Sequence, residues 1–579
     1  MSARLVSVEQ AAELVRDGDA LWIGGSGAGH GVPQAFIDQL AARFTRSASP
    51  RDLTTVRVVG IGDFGERGMS QLALPGLTRR TIGSNIGNEP RLGALVAGGE
   101  IESYSLPQGV LSALCRDIAA GRPGHLTHVG LGTYVDPRQT GGRQNARTAE
   151  QLVQVVELAG REWLFYPALP VDVAVIRATT ADEDGNLTFE REPILGDSLA
   201  LAMAAHNSGG IVIVQAERLA ARGSLRPNEV RIPGAIVDYI YVDERQRQTY
   251  NTAHSPFYSG ELRMPSSDAG PQATLDVRKV IARRALLEFR PGDICNLGFG
   301  ISQQIGAVAA EEGVADRLTL TVEQGIFGGV PAHGPDGGAG VNYQARLEQP
   351  SMFDFYDGGG LDITSLSFAQ VDRHGNVNVH AFDERMRGPG GFLNISALTG
   401  RLCFVGTFTA GGLRVGLVGG APAIEREGAQ RKFVDTVREI SFNGRMALEK
   451  GQTVRYITER AVFALTPEGL ELIEVADGLD VHKDVLAHME FRPTVSERLR
   501  PMDARLFRAA RMEITGDFAT DDFATDDLAT DDLATDDFAT DERSRHGRTG
   551  QRDARRVRGD RAGQPADERG LPRADRSAP

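Results

Sequence analysis

The chain has 579 residues, 41% of them hydrophobic and 24% charged, and a net charge of −14. That length exceeds a single hydrophobic core, so at least two large domains are expected, and the acidic balance leaves no basic footprint for nucleic acid. Cys115, Cys295 and Cys403 stand far apart at no metal-ligand spacing, which suits a reducing compartment better than a disulfide framework.

The opening "MSARLVSVEQAAELVRDGDA" reads as an amphipathic helix with acidic residues and without the apolar core of a signal peptide. No apolar run anywhere is long enough to span a bilayer, so a soluble cytoplasmic protein is expected. "VRDGDALWIGGSGAGHGVPQAFIDQLAARF" then runs helix end, Gly-Asp turn, strand, glycine loop and helix, with Pro33 suited to the first helical position. The glycines at 25, 27, 29 and 31 superficially resemble a dinucleotide fingerprint. No acidic residue closes a following strand at the required distance. A glycine loop at a helix start can still offer N–H groups to a phosphate or carboxylate. His30 in this loop, and His333 in a later one, receive no catalytic role, because a lone loop histidine is usually solvated or structural.

Gln108 follows in "SLPQGVLSALCRDIAAGRPGHLTHVGLGTYVDP", at a helix start. Its amide could donate to an oxyanion; on residue chemistry alone a helix cap is the simpler reading. "TTADEDGNLTF" (179–189) predicts two strands around an Asp-x-x-Gly-Asn turn.

Near the middle the pattern returns. "FRPGDICNLGFGISQQIGAVAAEEG" aligns Gly292-Asp293 with Gly18-Asp19 and Gly298 with Gly24, and "AQVDRHGNVNV" (369–379) repeats the Asp-x-x-Gly-Asn turn. Two echoes in the same order predict a duplicated α/β lobe with a mainly parallel sheet in each copy. The expected organisation is an N-terminal lobe over 1–265, a polar linker, and a C-terminal lobe over 280–512. Glycine clusters just past strand ends mark the sheet edge where α/β folds bind ligands.

"LTLTVEQGIFGGVPAHG" (318–334) sets Glu323 between a strand and a glycine loop. A carboxylate there could be a general base, a nucleophile, a metal ligand or simply solvated. No His, Asp or Cys stands at ligand spacing, so no metal site is read. The C-terminus holds five tandem D-[FL]-A-T-D pentads from Asp517 to Asp541 and then an Arg-rich stretch. A five-residue period fits neither helix nor strand, so 513–579 is expected to be a disordered tail, with partner docking as the alternative.

Several segments together resemble the family I CoA-transferases, in the single-chain acyl-CoA:acetate/3-ketoacid and propionate CoA-transferase branch. They are "LTVEQGIFGGVPAHG", "SLPQGVLSALCRDIAAGRPGHLTHVGLGTYVDPR", "VDVAVIRATTADEDGNLTFE", "QPSMFDFYDGGGLDITSLSFAQVDRHGNVNV", "GPGGFLNI" and "GTFTAGGLRV". The resemblance runs from about residue 5 to 512. It implies two related open α/β lobes with the active site between them, and a ping-pong transfer of CoA from a short-chain acyl-CoA to a free acid through a thioester on Glu323. It implies an oxyanion site of the Gln108 amide and the N–H groups of Gly390 and Gly391. Gly25, Gly27, Gly29, Gly31, Gly325, Gly328, Gly411 and Gly412 would help form the acyl and CoA pocket. CoA is then a substrate and covalent intermediate, with no tightly bound cofactor and no metal. A homodimer or homotetramer is expected. Gln324 stands where many relatives have Ser, and Phe327 with 331–338 falls where the acyl group should lie. An acyl-CoA hydrolase and a non-catalytic CoA-binding protein are the competing readings.

Overall fold

The computed structural model describes residues 3–265, 274–382 and 385–519. Two sheets dominate it, one in each expected lobe. The first runs Arg4–Leu5, Tyr239–Val242, Ile211–Ala220, Val173–Asp182, Ala20–Ile23, Leu53–Val56, Thr78–Gly83 and Glu102–Ser105, with every neighbour parallel. Leu187–Thr188 adds antiparallel to Val173–Asp182. The central strand Val173–Asp182 is buried at every position, as a parallel strand covered on both faces must be.

The second sheet has a parallel centre, ordered Thr319–Val322, Ile294–Leu297, Ile363–Ser367, Arg401–Val405 and Thr453–Ile457. Antiparallel strands extend it on both sides: Ile326–Phe327 and Ala345–Arg346 on one, Ala461–Thr466 and Gly469–Val475 on the other. The expectation of a mainly parallel sheet therefore describes the first sheet, apart from Leu187–Thr188, and in the second the centre and the edge pair Gly469–Val475 with Thr494–Pro501. Short turns lead into Ile326–Phe327, Ala461–Thr466 and Gly469–Val475, and a short connection permits only antiparallel return.

The two echoes are equivalent bond for bond. Gly18 N–H donates to Arg51 O and Gly292 N–H to Arg317 O, both at 2.8 Å. Gly24 N–H donates to Val175 O and Gly298 N–H to Ser365 O, also at 2.8 Å. Asp182 accepts from Asn186 N and Nδ2 at 2.9 and 3.0 Å; Asp372 accepts from Asn376 N and Nδ2 at 3.0 Å each. A carboxylate that takes several donors of its own turn fixes that turn.

The opening helix is short. A capping box at Ser7 starts it at Val8 and it ends at Glu13, while Arg4–Leu5 pairs as an edge strand with Tyr239–Val242. Of the expected linker, 266–279, residues 266–273 lie outside the described residues, and its end is helical, since Asp276 caps the helix Val277–Leu286. The boundary of the tail moves: Met512, Ile514 and Phe518, 2%, 1% and 6% exposed, pack in one cluster with Val280 and Ile281 of the helix Val277–Leu286. Glu312 reinforces the dock by accepting from Met512 N and Glu513 N at 2.8 and 2.9 Å. Residues beyond 519 lie outside the described part.

The lobes join through the helix Gln108–Ala119, which packs on Ser198–Asn207 from its own half and on Gln349–Asp357 and Phe392–Ala397 from the other. Gly109 makes that approach possible: its N–H donates to Asn394 Oδ1 at 2.9 Å, and a Cβ there would meet Asn394 Nδ2 at 2.3 Å.

Candidate active site

Glu323 stands one residue past the strand Thr319–Val322 and is partly buried. The chain reverses at once: Gly325, at φ +108, takes a conformation that a side chain resists. A Cβ there would also strike Leu347 O at 2.1 Å. The turn therefore aims the Glu323 carboxyl off the carboxyl edge of the sheet. Burial pushes that carboxyl above its ordinary range, opposed by its own backbone N–H and by the Gln324 and Asn296 amides. Gln324 Nε2 donates to Glu323 Oε1 at 3.1 Å. Beneath lies a polar stack in which Tyr356 Oη donates to Thr321 Oγ1 at 2.7 Å and Asn296 Nδ2 to Tyr356 Oη at 3.3 Å.

Gln108 arrives from the other half. It is the first residue of its helix, whose N-cap is Pro107 with no side-chain capping bond, so the cap reading fails. Its side chain is 1% exposed and Nε2 has no hydrogen-bond partner. Buried donors without acceptors are rare enough to require an explanation. A side-chain carbon at Gly391 would stand 3.5 Å from both Gln108 Oε1 and Glu323 Cγ, which places the three side by side. Gly391 is the N-cap of Phe392–Ala397, and its N–H has no acceptor among the described residues. Gly390 does not share that role: its N–H donates to Ser84 O at 3.1 Å, while its carbonyl accepts from Gln108 N at 3.4 Å. The expected pair of backbone donors is thus one donor and one structural tie.

The glycine loop of the first half reaches this place through a second loop. Gly27 lies against Gly337, and a Cβ on Gly338 would stand 2.9 Å from the His30 ring and 3.5 Å from Gln324 Cδ. The loop around Gly337 is pinned to the first half by Asp336, which accepts from Thr249 Oγ1 at 2.5 Å, Asn251 Nδ2 at 3.0 Å and Thr252 Oγ1 at 2.9 Å. Gly25 and Gly31 pack on Val32 and on each other, and Gly29 on Tyr250. These contacts shape the loop. Gly328 packs on Gln344 and its N–H closes back on Leu320 O at 2.7 Å. Gly411 and Gly412 sit at the base of a hairpin, against Ala429, Gln430 and Arg426; no contact carries them to Glu323. Phe327 turns its ring edge to Phe355 at 5.4 Å.

Asn296, Tyr356 and Asp336 were not anticipated. The detectable signal was Asn296, a polar residue inside an otherwise apolar strand just before Gly298.

A partly buried carboxylate with a raised pKa, an unpartnered buried amide and a backbone N–H without an acceptor among the described residues thus come from the two halves to one neighbourhood. Residues 5–243 match the family Coenzyme A transferase. The chain is 44% identical over 509 residues to acetate CoA-transferase YdiF of Escherichia coli K12, covering 88% of this chain and 96% of that one. It is 42% identical over 513 residues to caffeate CoA-transferase of Acetobacterium woodii, covering 87% and 97%. The crystal structure of the acyl-CoA transferase YdiF apoenzyme from E. coli O157:H7 superposes with a TM-score of 0.85 at 43% identity, covering 88% of this chain and 97% of that one. A thioester complex of the same enzyme with CoA gives 0.84, with the same identity and coverage. The chain belongs to the coenzyme A transferase family. It is an enzyme that moves CoA between an acyl-CoA and a free carboxylic acid.

Proposed function

We propose that Glu323 is the nucleophile of a ping-pong transfer that serves short-chain acids of the acetate, propionate or 3-keto acid class. The observation that carries this reading is that a side-chain carbon at Gly391 would stand 3.5 Å from both Gln108 Oε1 and Glu323 Cγ, with the buried Gln108 Nε2 left without a partner. In the first half-reaction Glu323 Oε attacks the thioester carbonyl, an oxygen–carbon bond forms, the carbon–sulfur bond breaks and CoA leaves as thiolate. The thiolate then attacks the glutamyl carbonyl of the mixed anhydride; a new carbon–sulfur bond forms there and the first acid leaves as its carboxylate. The acceptor carboxylate attacks this glutamyl thioester, giving a second anhydride. The thiolate finally takes the new acyl group and Glu323 is regenerated.

Each attack builds an oxyanion, for which Gln108 Nε2 and Gly391 N–H are the donors on hand. The thioester complex of the relative YdiF with CoA supports the covalent route. The cycle needs no resident metal or redox group. We further propose that the two lobes act as one unit in a cytoplasmic homo-oligomer, a dimer or tetramer; among the described residues no helix is long and apolar enough to cross a membrane.

The test is intact mass of the full chain after acetyl-CoA without acceptor acid, followed by borohydride and peptide mapping. A CoA adduct on the peptide holding Glu323, absent in Glu323→Gln, is expected. In the same variant kcat/KM should fall by about 10⁴-fold or more, as loss of a nucleophile does. Steady CoA release to water without an adduct would turn the reading to a hydrolase, and neither release nor adduct would leave a binding protein.

A further inference from the structure

His30 is the most deeply buried polar side chain near the site without a stated task. It is 0% exposed, and neither Nδ1 nor Nε2 has a hydrogen-bond partner. The backbone sets it there. His30 N–H donates to Ser26 O at 3.0 Å and Ser26 N–H to His30 O at 2.8 Å, closing the glycine loop on itself, while Tyr250 N–H holds Ala28 O at 2.8 Å. Gln324 shows the complementary defect. It is 3% exposed and its Nε2 donates to Glu323 Oε1, yet its Oε1 has no donor.

The two defects are neighbours. A side-chain carbon at Gly338 would lie 3.0 Å from His30 Nδ1 and 3.5 Å from Gln324 Cδ, so ring and amide flank one α-carbon from the two halves of the chain. An imidazole N–H is the donor that an amide carbonyl lacks. One contact would satisfy both.

The bond is not made in this structure; we propose that His30 is a positioning residue whose ring N–H, on rotation of the ring or the amide, donates to Gln324 Oε1 and so holds the Gln324 amide with Nε2 toward the Glu323 carboxylate. The reading rests on Glu323 as nucleophile. The direction of the chain matters. With that bond made, donor would meet acceptor at each step and the last N–H would point at the charge that must form, whereas a flipped Gln324 would turn its carbonyl on that charge. Gly338 is required between them because any side chain there would occupy the contact. The ring stays neutral, since burial and the Arg177 guanidinium push it down to about 3 against the weaker pull of Asp336. It therefore keeps one N–H throughout the working range and does not titrate with the enzyme. The other groups facing Glu323 are the Asn296 amide and the Tyr356 hydroxyl.

The experiment is the pH profile of kcat/KM for an acyl-CoA donor, which reports the groups of the free enzyme. Removing the donor chain destabilises the carboxylate, so the acid limb should move to higher pH. His30→Leu and Gln324→Leu are each expected to move it by about half a unit to one unit, the size of one neutral hydrogen bond. The double variant should move it no further, and His30→Gln, which keeps an N–H, should bring it back. A ring that only fills space would lower the rate at every pH and leave the limb in place, which overturns the proposal. If His30→Leu does not fold, His30→Phe gives the same reading; a limb moved by Gln324→Leu and by neither His30 variant also overturns it. Intact mass of wild type with acetyl-CoA, read separately, tells whether the nucleophile reading itself has failed.

Discussion

The two halves carry the same scaffold and opposite chemistry at the same point. Ala20 pairs with Thr54 in the first sheet and Ile294 with Thr319 in the second, and both Thr N–H groups donate to the Asp of the preceding Gly-Asp turn, at 3.0 and 2.9 Å. Four residues on from each threonine stand Val58 and Glu323, and six on stand Gly60 and Gly325. The first half fills the place with a 5% exposed valine; the second puts a carboxylate there. The preceding residue is inverted as well. Val322 is an ordinary core residue, whereas Arg57 is fully buried and bidentate to Glu89. On the proposal that Glu323 is the nucleophile, a duplicated strand end is structural in one copy and chemical in the other, and the structural copy lends its loop and Gln108 to the chemical one.

The sharpest way to break that contrast lies at Arg57. Its Nη1 also donates to Thr81 Oγ1 and Ile82 O at 2.9 and 3.2 Å, and Glu89 accepts from Ile61 N at 2.8 Å. Arg57→Met leaves the Glu89 charge buried and unpaired, so urea unfolding should show a loss of about 3–5 kcal/mol. Arg57→Met with Glu89→Gln should recover most of it. A single variant within about 1 kcal/mol of wild type would mean that the first half is not built on this pair.

Gln108 is the next test, because it is what the first half contributes directly. Gln108→Ala should lower kcat by about 10²–10³-fold, as loss of one oxyanion donor does. The CoA adduct on Glu323 should still appear, only more slowly. A change confined to KM would place the Gln108 amide on the ground-state substrate and not on the developing charge.

How much of this was legible in the sequence follows from where the information sits. The Gly-Asp and Asp-x-x-Gly-Asn echoes were readable because each turn is fixed by its own residues: Asp182 and Asp372 bond donors within four positions. Glu323 was readable as a carboxylate at a strand end, and acquired a role only by resemblance. His30 was not, since Gly338, which lies against its ring, stands about three hundred residues away in the chain. Gly390 misled for a related reason: a glycine pair looks like two free N–H groups until Ser84 O is seen to take one. The tail boundary failed because composition averages over Phe518. A single aromatic in the first pentad suffices to seal the cluster of Met512 and Ile514, whatever the repeat does afterwards.

The smallest expected effect separates function from stability at the paired positions. Burial raises the Glu323 carboxyl pKa in the folded chain, so the folded state binds that proton more tightly than the unfolded state does. The stabilisation from this proton is complete below the unfolded value of about 4.3 and is lost as pH rises through the folded value. At neutral pH the ionised carboxylate therefore works against the fold, as a poised nucleophile often does. Glu323→Gln should melt higher than wild type at pH 7, with the increment shrinking toward zero as pH falls below the ordinary glutamate range. Val58→Gln, at the equivalent point of the first half, exchanges no charge, so any change in melting temperature should be independent of pH. If Glu323→Gln melts at or below wild type at pH 7, the carboxylate is already compensated in the resting enzyme, and the strain assigned to the chemical half is absent.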